Sequence, residues 1–241
     1  MFGRSLCALG VLFGVWTGVA PAGAVELRVW EETIAFEPGA RHCALDEAAS
    51  EVDYFLLDWQ RKSNRGLNDV IAIFAECQNL EEIRAGLDVS LEDYGVLLAP
   101  LTEGRPLRMP GYTRAGFLRE ALEALGGGLE IDQREISRRL DDALGPVLKE
   151  ELGSASVEGV RQLGVLHVDE AAIYYGILGR YTVGGRSFSQ AGVLSMTLVK
   201  ERMLQYTLYR EYEDKSTFAT LLAEARPIMQ DLVRRNGPGA E

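Results

Sequence analysis

The chain reads as an α+β protein in which a mainly antiparallel sheet packs with helices and carries a helical insertion in the middle. Two observations predict this. The last third holds four successive strand-like runs, Gly159–Asp169, Ile173–Val183, Phe188–Val199 and Met203–Tyr212. Gly184-Gly185 and Lys200-Glu201-Arg202 separate the later ones, and connections this short require antiparallel neighbours. Helical stripes stand on either side of that meander, so the sheet has helices to pack against.

The first element is an export signature. Arg4 precedes the uncharged run Leu6–Ala20, and small residues follow at Ala22-Gly23-Ala24, the pattern that signal peptidase reads. The run falls short of the roughly 20 apolar residues that a membrane-spanning helix needs. Residues 1–24 are therefore expected to be a signal peptide that is removed, taking Cys7 with it. Residues 25–241 then form a single periplasmic domain with no membrane span of its own.

Glu26–Phe36 (ELRVWEETIAF) is β-branched and aromatic and is closed by Pro38-Gly39, which predicts one strand. Over Asp46–Lys62, Ala48, Val52, Phe55, Leu56 and Trp59 recur at helical spacing, which leaves Glu47, Glu51, Asp53 and Arg61 on or near the solvent face. Asp69–Ala75 is a short continuous apolar run of the kind buried on both faces of a sheet. A short helix is expected at Leu80–Gly86, and a strand around Tyr94–Leu98. Gly104, Pro106, Pro110 and Gly111 mark Thr102–Gly111 as an irregular loop.

Thr113 can cap a helix whose stripe is Phe117, Leu118, Ala121, Leu122 and Leu125. Gly126-Gly127-Gly128 ends it. A further helix is expected from Asp132, where Glu135 and the Ile131/Ile136 pair form a capping box and staple. The insertion thus runs from Thr113 to Leu152. Asp214 or Ser216 caps a last helix reaching Asn236, with Phe218, Leu221, Met229 and Leu232 on its apolar side.

Composition excludes several functions. The net charge of −11 becomes −12 once Arg4 is removed with the signal, which argues against nucleic acid and disfavours adsorption to anionic lipid headgroups. No cofactor is expected, because the triple glycine lacks the preceding strand and the Lys or Ser/Thr of a phosphate cradle. Cys43 and Cys77 remain in the mature chain, and in an oxidising compartment such a pair closes a disulfide that stabilises by about 4 kcal/mol in the chain-entropy picture. A metal site is the alternative reading, but His42 beside Cys43 has no CxxC or HxxxH partner to complete four donors.

Two segments carry a family resemblance. The strand LQYTLYREY leading into STFATLLAEARPIMQDLVRRN resembles the close of the PsbP-like fold, and DVIAIFAECQNLEEIRAG is similar to a segment of small exported proteins of Gram-negative bacteria. The likeness covers the order of elements in the mature chain and the letters of these two segments. It implies an accessory or assembly factor without enzymatic activity.

The leading expectation is a non-catalytic periplasmic accessory or binding protein whose partner is an envelope protein or a glycan. On the last strand Gln205, Thr207 and Tyr209 alternate with Leu204, Tyr206 and Leu208, which gives a polar face. Ser195 and Thr197 are expected to extend that face across the turn as a possible binding surface. One alternative is an envelope hydrolase with His167 as base and Asp169 as its orienting carboxylate. Another is a structural protein that associates through a sheet edge or face. No serine sits in a nucleophile elbow, since GGRSFSQAG misses the G-x-S-x-G spacing.

Overall fold

Alternating apolar residues form strands β1 Val25–Val29, β2 Glu32–Phe36, β3 His42–Ala44, β4 Asn68–Glu76, β5 Asp93–Thr102, β6 Arg105–Pro106, β7 Ala155–Val168, β8 Ile173–Val183, β9 Arg186–Val199 and β10 Arg202–Glu211. The helices are α1 Glu51–Ser63, α2 Cys77–Arg84, α3 Arg114–Leu125 and α4 Ser216–Arg235. The computed structural model describes residues 23–87, 91–126, 134, 138–139, 142, 155–183 and 185–237. The expected export signal up to residue 22, the triple glycine from residue 127 and most of the helix expected from Asp132 lie outside the described residues.

The fold is α+β. One sheet runs β3-β4-β5-β10-β9-β8-β7, with β6 paired to the end of β5, and every pairing in it is antiparallel. The β1–β2 hairpin stands apart from it. The four-strand meander lies where its alternation predicts. Strand β8 matches its expected bounds, and β7, β9 and β10 begin at Ala155, Arg186 and Arg202, a few residues earlier than expected.

Helices cover both faces. On one, α4 and the β1–β2 hairpin enclose the main core, where Phe36 meets Phe74 and Tyr206 at ring distances of 5.1 and 5.0 Å. On the other, α1 and α2 cover β3–β5 through Leu57 and Leu80, and Phe117 and Leu118 of α3 pack on Tyr175 and Met196. Thr113 caps α3 by accepting from the Gly116 N–H at 3.1 Å. The cap position of α4 is Lys215, which makes no side-chain cap bond, and Asp214 just before it accepts from Ser216 N–H at 2.7 Å.

Several expectations are corrected. The single strand expected over Glu26–Phe36 is a hairpin, Val29 facing Glu32 across Trp30-Glu31, and Trp30 adopts φ 57° where Gly or Asn is the usual turn signal. The expected loop Thr102–Gly111 contains a second hairpin, with Thr102 facing Arg105. Helix α1 starts at Glu51, not Asp46, because Asp46 turns back on itself to accept from the Ala48 N–H at 2.9 Å and Ser50 caps the helix by accepting from Asp53 N–H at 3.0 Å.

Asp53 itself, expected near solvent, is fully buried. It accepts Arg84 Nε at 2.9 Å and Nη2 at 2.5 Å, and also Ser50 Oγ at 2.6 Å and Asp46 N–H at 2.8 Å. Burial alone would raise its pKa, but these bonds and the Arg84 charge outweigh it and hold the carboxyl below its ordinary value. A buried carboxylate survives only when fully partnered in this way, and the pair ties α1 to α2.

The Cys43–Cys77 disulfide is formed. It links β3, the three-residue edge strand, to the first residue of α2.

Tyr206 is packed across Gly95 of β5. A Cβ on Gly95 would stand 2.2 Å from Tyr206 Oη, and that hydroxyl is buried without a hydrogen-bond partner among the described residues. Gly95→Ala should therefore destabilise by about 1–3 kcal/mol through overpacking. Tyr206→Phe, which removes the unsatisfied hydroxyl, should stabilise by about 1 kcal/mol. Urea midpoints of the two variants against the parent check both signs.

Candidate functional site

Register decides which side chains share a face. Val199 pairs with Arg202, so the turn is the two residues Lys200-Glu201 and not the expected three. That one-residue difference exchanges the faces. Ser195 pairs with Tyr206 and Thr197 with Leu204, which places both hydroxyls on the α4 side, fully buried. The expected grouping of Ser195 and Thr197 with Gln205, Thr207 and Tyr209 is thus corrected. Thr197 Oγ donates to Ala171 C=O at 2.5 Å and anchors the β7–β8 turn.

The opposite face carries an aromatic strip. Thr207 is buried, Gln205 and Tyr209 are half-buried, and Tyr209 stacks on its cross-strand neighbour Tyr94 at 5.0 Å. Tyr94 Oη donates to Gln190 Oε1 at 3.3 Å, and Tyr181 stacks on Phe188 at 5.7 Å. Gly192 faces Tyr209 and Gly179 faces Gln190. A Cβ on Gly179 would stand 2.4 Å from the Tyr181 ring, so the ring lies down on the bare backbone. Burial raises the Tyr94 and Tyr209 hydroxyls above their usual pKa, with neighbouring phenols adding to it. The strip therefore presents neutral rings, one amide and the 37 % exposed Phe188.

His167 and Asp169 do not form the expected dyad. His167 Nε2 stands 3.9 Å from Asp169 Oδ2 and makes no hydrogen bond among the described residues. Asp169 is committed elsewhere. Oδ1 accepts the N–H groups of Ala171 and Ala172 at 3.0 and 3.1 Å, and Oδ2 accepts Arg226 Nε and Gln230 Nε2, both at 3.3 Å. Despite the opposing effect of burial these donors hold the carboxyl below its ordinary pKa. Its role is to fasten α4 to the β7–β8 turn.

A second ionic centre escaped sequence reasoning. Arg210 faces Asp93 across the β5–β10 pair and donates to it through Nε at 3.1 Å and Nη2 at 2.5 Å, while Nη2 also reaches Glu224 of α4 at 3.0 Å. Arg41 adds a bond to Asp93 at 2.6 Å, and buried His42 places Nε2 3.3 Å from the other oxygen. The available signal was Arg210 itself, a cation on the apolar side of β10 that requires a carboxylate. Beside this centre lies a cleft of about 310 Å³ lined by Arg41, Glu76, Gln78, Glu82, Glu92 and Asp93.

No family model and no curated protein matches the chain. Among the described residues no group of three His, Cys, Asp or Glu side chains is arranged to hold a metal ion, and no helix is long and apolar enough to cross a membrane.

The lowered carboxylates fix a pH dependence. Burial pushes Asp93 up, but the bond from His42 and the charge and bonds of Arg210 prevail and lower it, as happens at Asp53 and Asp169. A folded-state pKa below the unfolded value of about 3.9 means that the stabilisation is complete above that value and is lost as pH falls through the folded pKa. Urea midpoints should accordingly be level near neutrality and drop on the acid side of pH ~4. Asp93→Asn should lower the neutral plateau and make the acid limb shallower. An acid limb of unchanged slope in that variant would count against the assignment.

Proposed function

We propose that this chain is a non-catalytic accessory or binding protein of the bacterial envelope, exported through residues 1–24, PsbP-like in fold, and engaging an envelope protein or glycan through its aromatic strip. The observation that carries this reading is the row Tyr94, Tyr209, Gln190, Tyr181 and Phe188 on one sheet face. Flat rings seated over glycine backbone give a neutral apolar platform with an amide at its centre. Such a platform suits the faces of sugar rings or the side chains of a protein partner, and it does not repel either by charge.

Other features favour binding over hydrolysis. Asp169 spends its lone pairs on backbone and α4 donors, so it cannot also orient His167 as a triad needs. The disulfide supports an oxidising compartment. Changing His167 to Ala should then leave the cellular role intact.

Site-specific photocrosslinking in cells tests the surface. A photoreactive residue at Phe188 should capture a partner that the same residue at exposed Thr220 on α4 does not, and Tyr181→Ala should reduce the yield severalfold. Equal yields from the two positions, or loss of the cellular role in the His167 variant with folding unchanged, would overturn the proposal.

A further inference from the structure

The aromatic strip holds a buried amide whose hydrogen bonding is half complete. Gln190 is 9 % exposed. Its Oε1 accepts from Tyr94 Oη at 3.3 Å, and its Nε2 has no partner among the described residues. Turning the amide over exchanges its two ends and still leaves one unpartnered. A polar group at this depth is ordinarily satisfied. The free end is open to solvent, unlike the sealed hydroxyls of Ser195 and Tyr206.

A carboxylate stands beside it. Glu211 lies directly opposite Gln190, and opposite residues of an antiparallel pair share a face. Glu211 is exposed and makes no hydrogen bond or salt bridge among the described residues. An unspent donor and an unspent acceptor therefore adjoin. By register three successive rungs share this face, with Tyr209 beside Gly192, then Glu211 beside Gln190, then Phe188 beside Tyr181. Aromatic rings thus border the polar pair on both sides.

Size and charge select the occupant. Phe188 is 37 % exposed, and Tyr94, Tyr181 and Tyr209 are less so. At about a third of the ~200 Å² that such a ring offers, four rings present roughly 270 Å². A stable protein interface needs about 800 Å² from each side, so the strip suits a smaller ligand. From β5 to β8 it crosses β10 and β9, about 14 Å, the span of a short oligosaccharide. Glu211 within the face and the net charge of −11 disfavour an anionic sugar.

We propose that the strip takes a neutral glycan of β-linked N-acetylhexosamine, an inference that rests on the reading of the strip as a binding surface. The acetamido group carries both complements, a carbonyl that accepts from Gln190 and an N–H that donates to Glu211, whereas a lone hydroxyl satisfies only one of them at a time. The apolar face of the pyranose ring lies on Tyr181 and Phe188.

NMR titration of the isotope-labelled protein with chitotriose, the linear trimer of N-acetylglucosamine, tests the proposal. The Gln190 side-chain amide resonances should shift saturably, and maltotriose, which lacks the acetamido group, should shift them far less. Phe188→Ala should weaken binding about fivefold, the scale of one ring contact. Glu211→Ala should weaken it about tenfold, the scale of one hydrogen bond to a charged group. Both side chains are exposed, so Tm should hold in each variant. Absence of a saturable shift at Gln190, or undiminished binding in both variants, overturns the inference. If chitotriose fails while a photoreactive residue at Phe188 still captures a protein, the glycan is wrong and the strip stands as a binding surface. Failure of both removes the surface as well.

Discussion

The seam between β5 and β10 holds the molecule together. Strands β3–β5 and β7–β10 form two antiparallel groups, and among the described residues the ladder that joins them runs from Asp93 opposite Arg210 to Leu98 opposite Gln205. The partners at its end are 117 residues apart in sequence, so loop closure is met before the contact gives anything back. Helix α4 then crosses the join, its Leu221 and Met229 packing in one core with Phe74 and Leu97 of the first group and Val193 and Leu204 of the second. The ionic centre around Asp93 sits at the end of this seam and bonds β10 to α4 through Glu224. Its charges are mutually satisfied, as buried charges must be.

That constraint separates the fastening from the display of side chains. Asp53, Asp93 and Asp169 each collect a donor distant in sequence: the first ties α1 to α2, the second β5 to β10, and the third α4 to the β7–β8 turn. The aromatic strip has few such bonds. Rings lie on glycine there, and side chains are presented outward, as at sites of recognition.

Much of this order was legible in the residues. The meander declared itself because its alternation is regular and its turns are short, and Thr113 marked its helix through cap chemistry that acts within a few positions. What could not be read depended on partners far along the chain or on parity. Asp53 looked solvated because Arg84 lies 31 residues away. The first hairpin was hidden because Trp30-Glu31 carries no Gly or Asn to announce a turn. Counting Arg202 into the β9–β10 turn shifted the register by one, and in a structure of period two that single step moved Ser195 and Thr197 to the wrong side of the sheet. The disulfide was readable because cysteine pairing is a chemical choice with few candidates, unlike a salt bridge in a chain rich in both charges.

The shortness of β3 has a consequence for the life of the molecule. Three residues of ladder hold the outer rim on that side, His42 to Ala44 against Phe74 to Glu76, and the sulfur bridge secures what those few bonds cannot. In a reducing compartment the flap could peel away and leave the far half of β4 as bare, hydrophobic backbone, the kind of rim that recruits its twin from another copy. The crosslink then acts as a safeguard against self-assembly, and it matters most in the interval before the rest of the chain has closed over it.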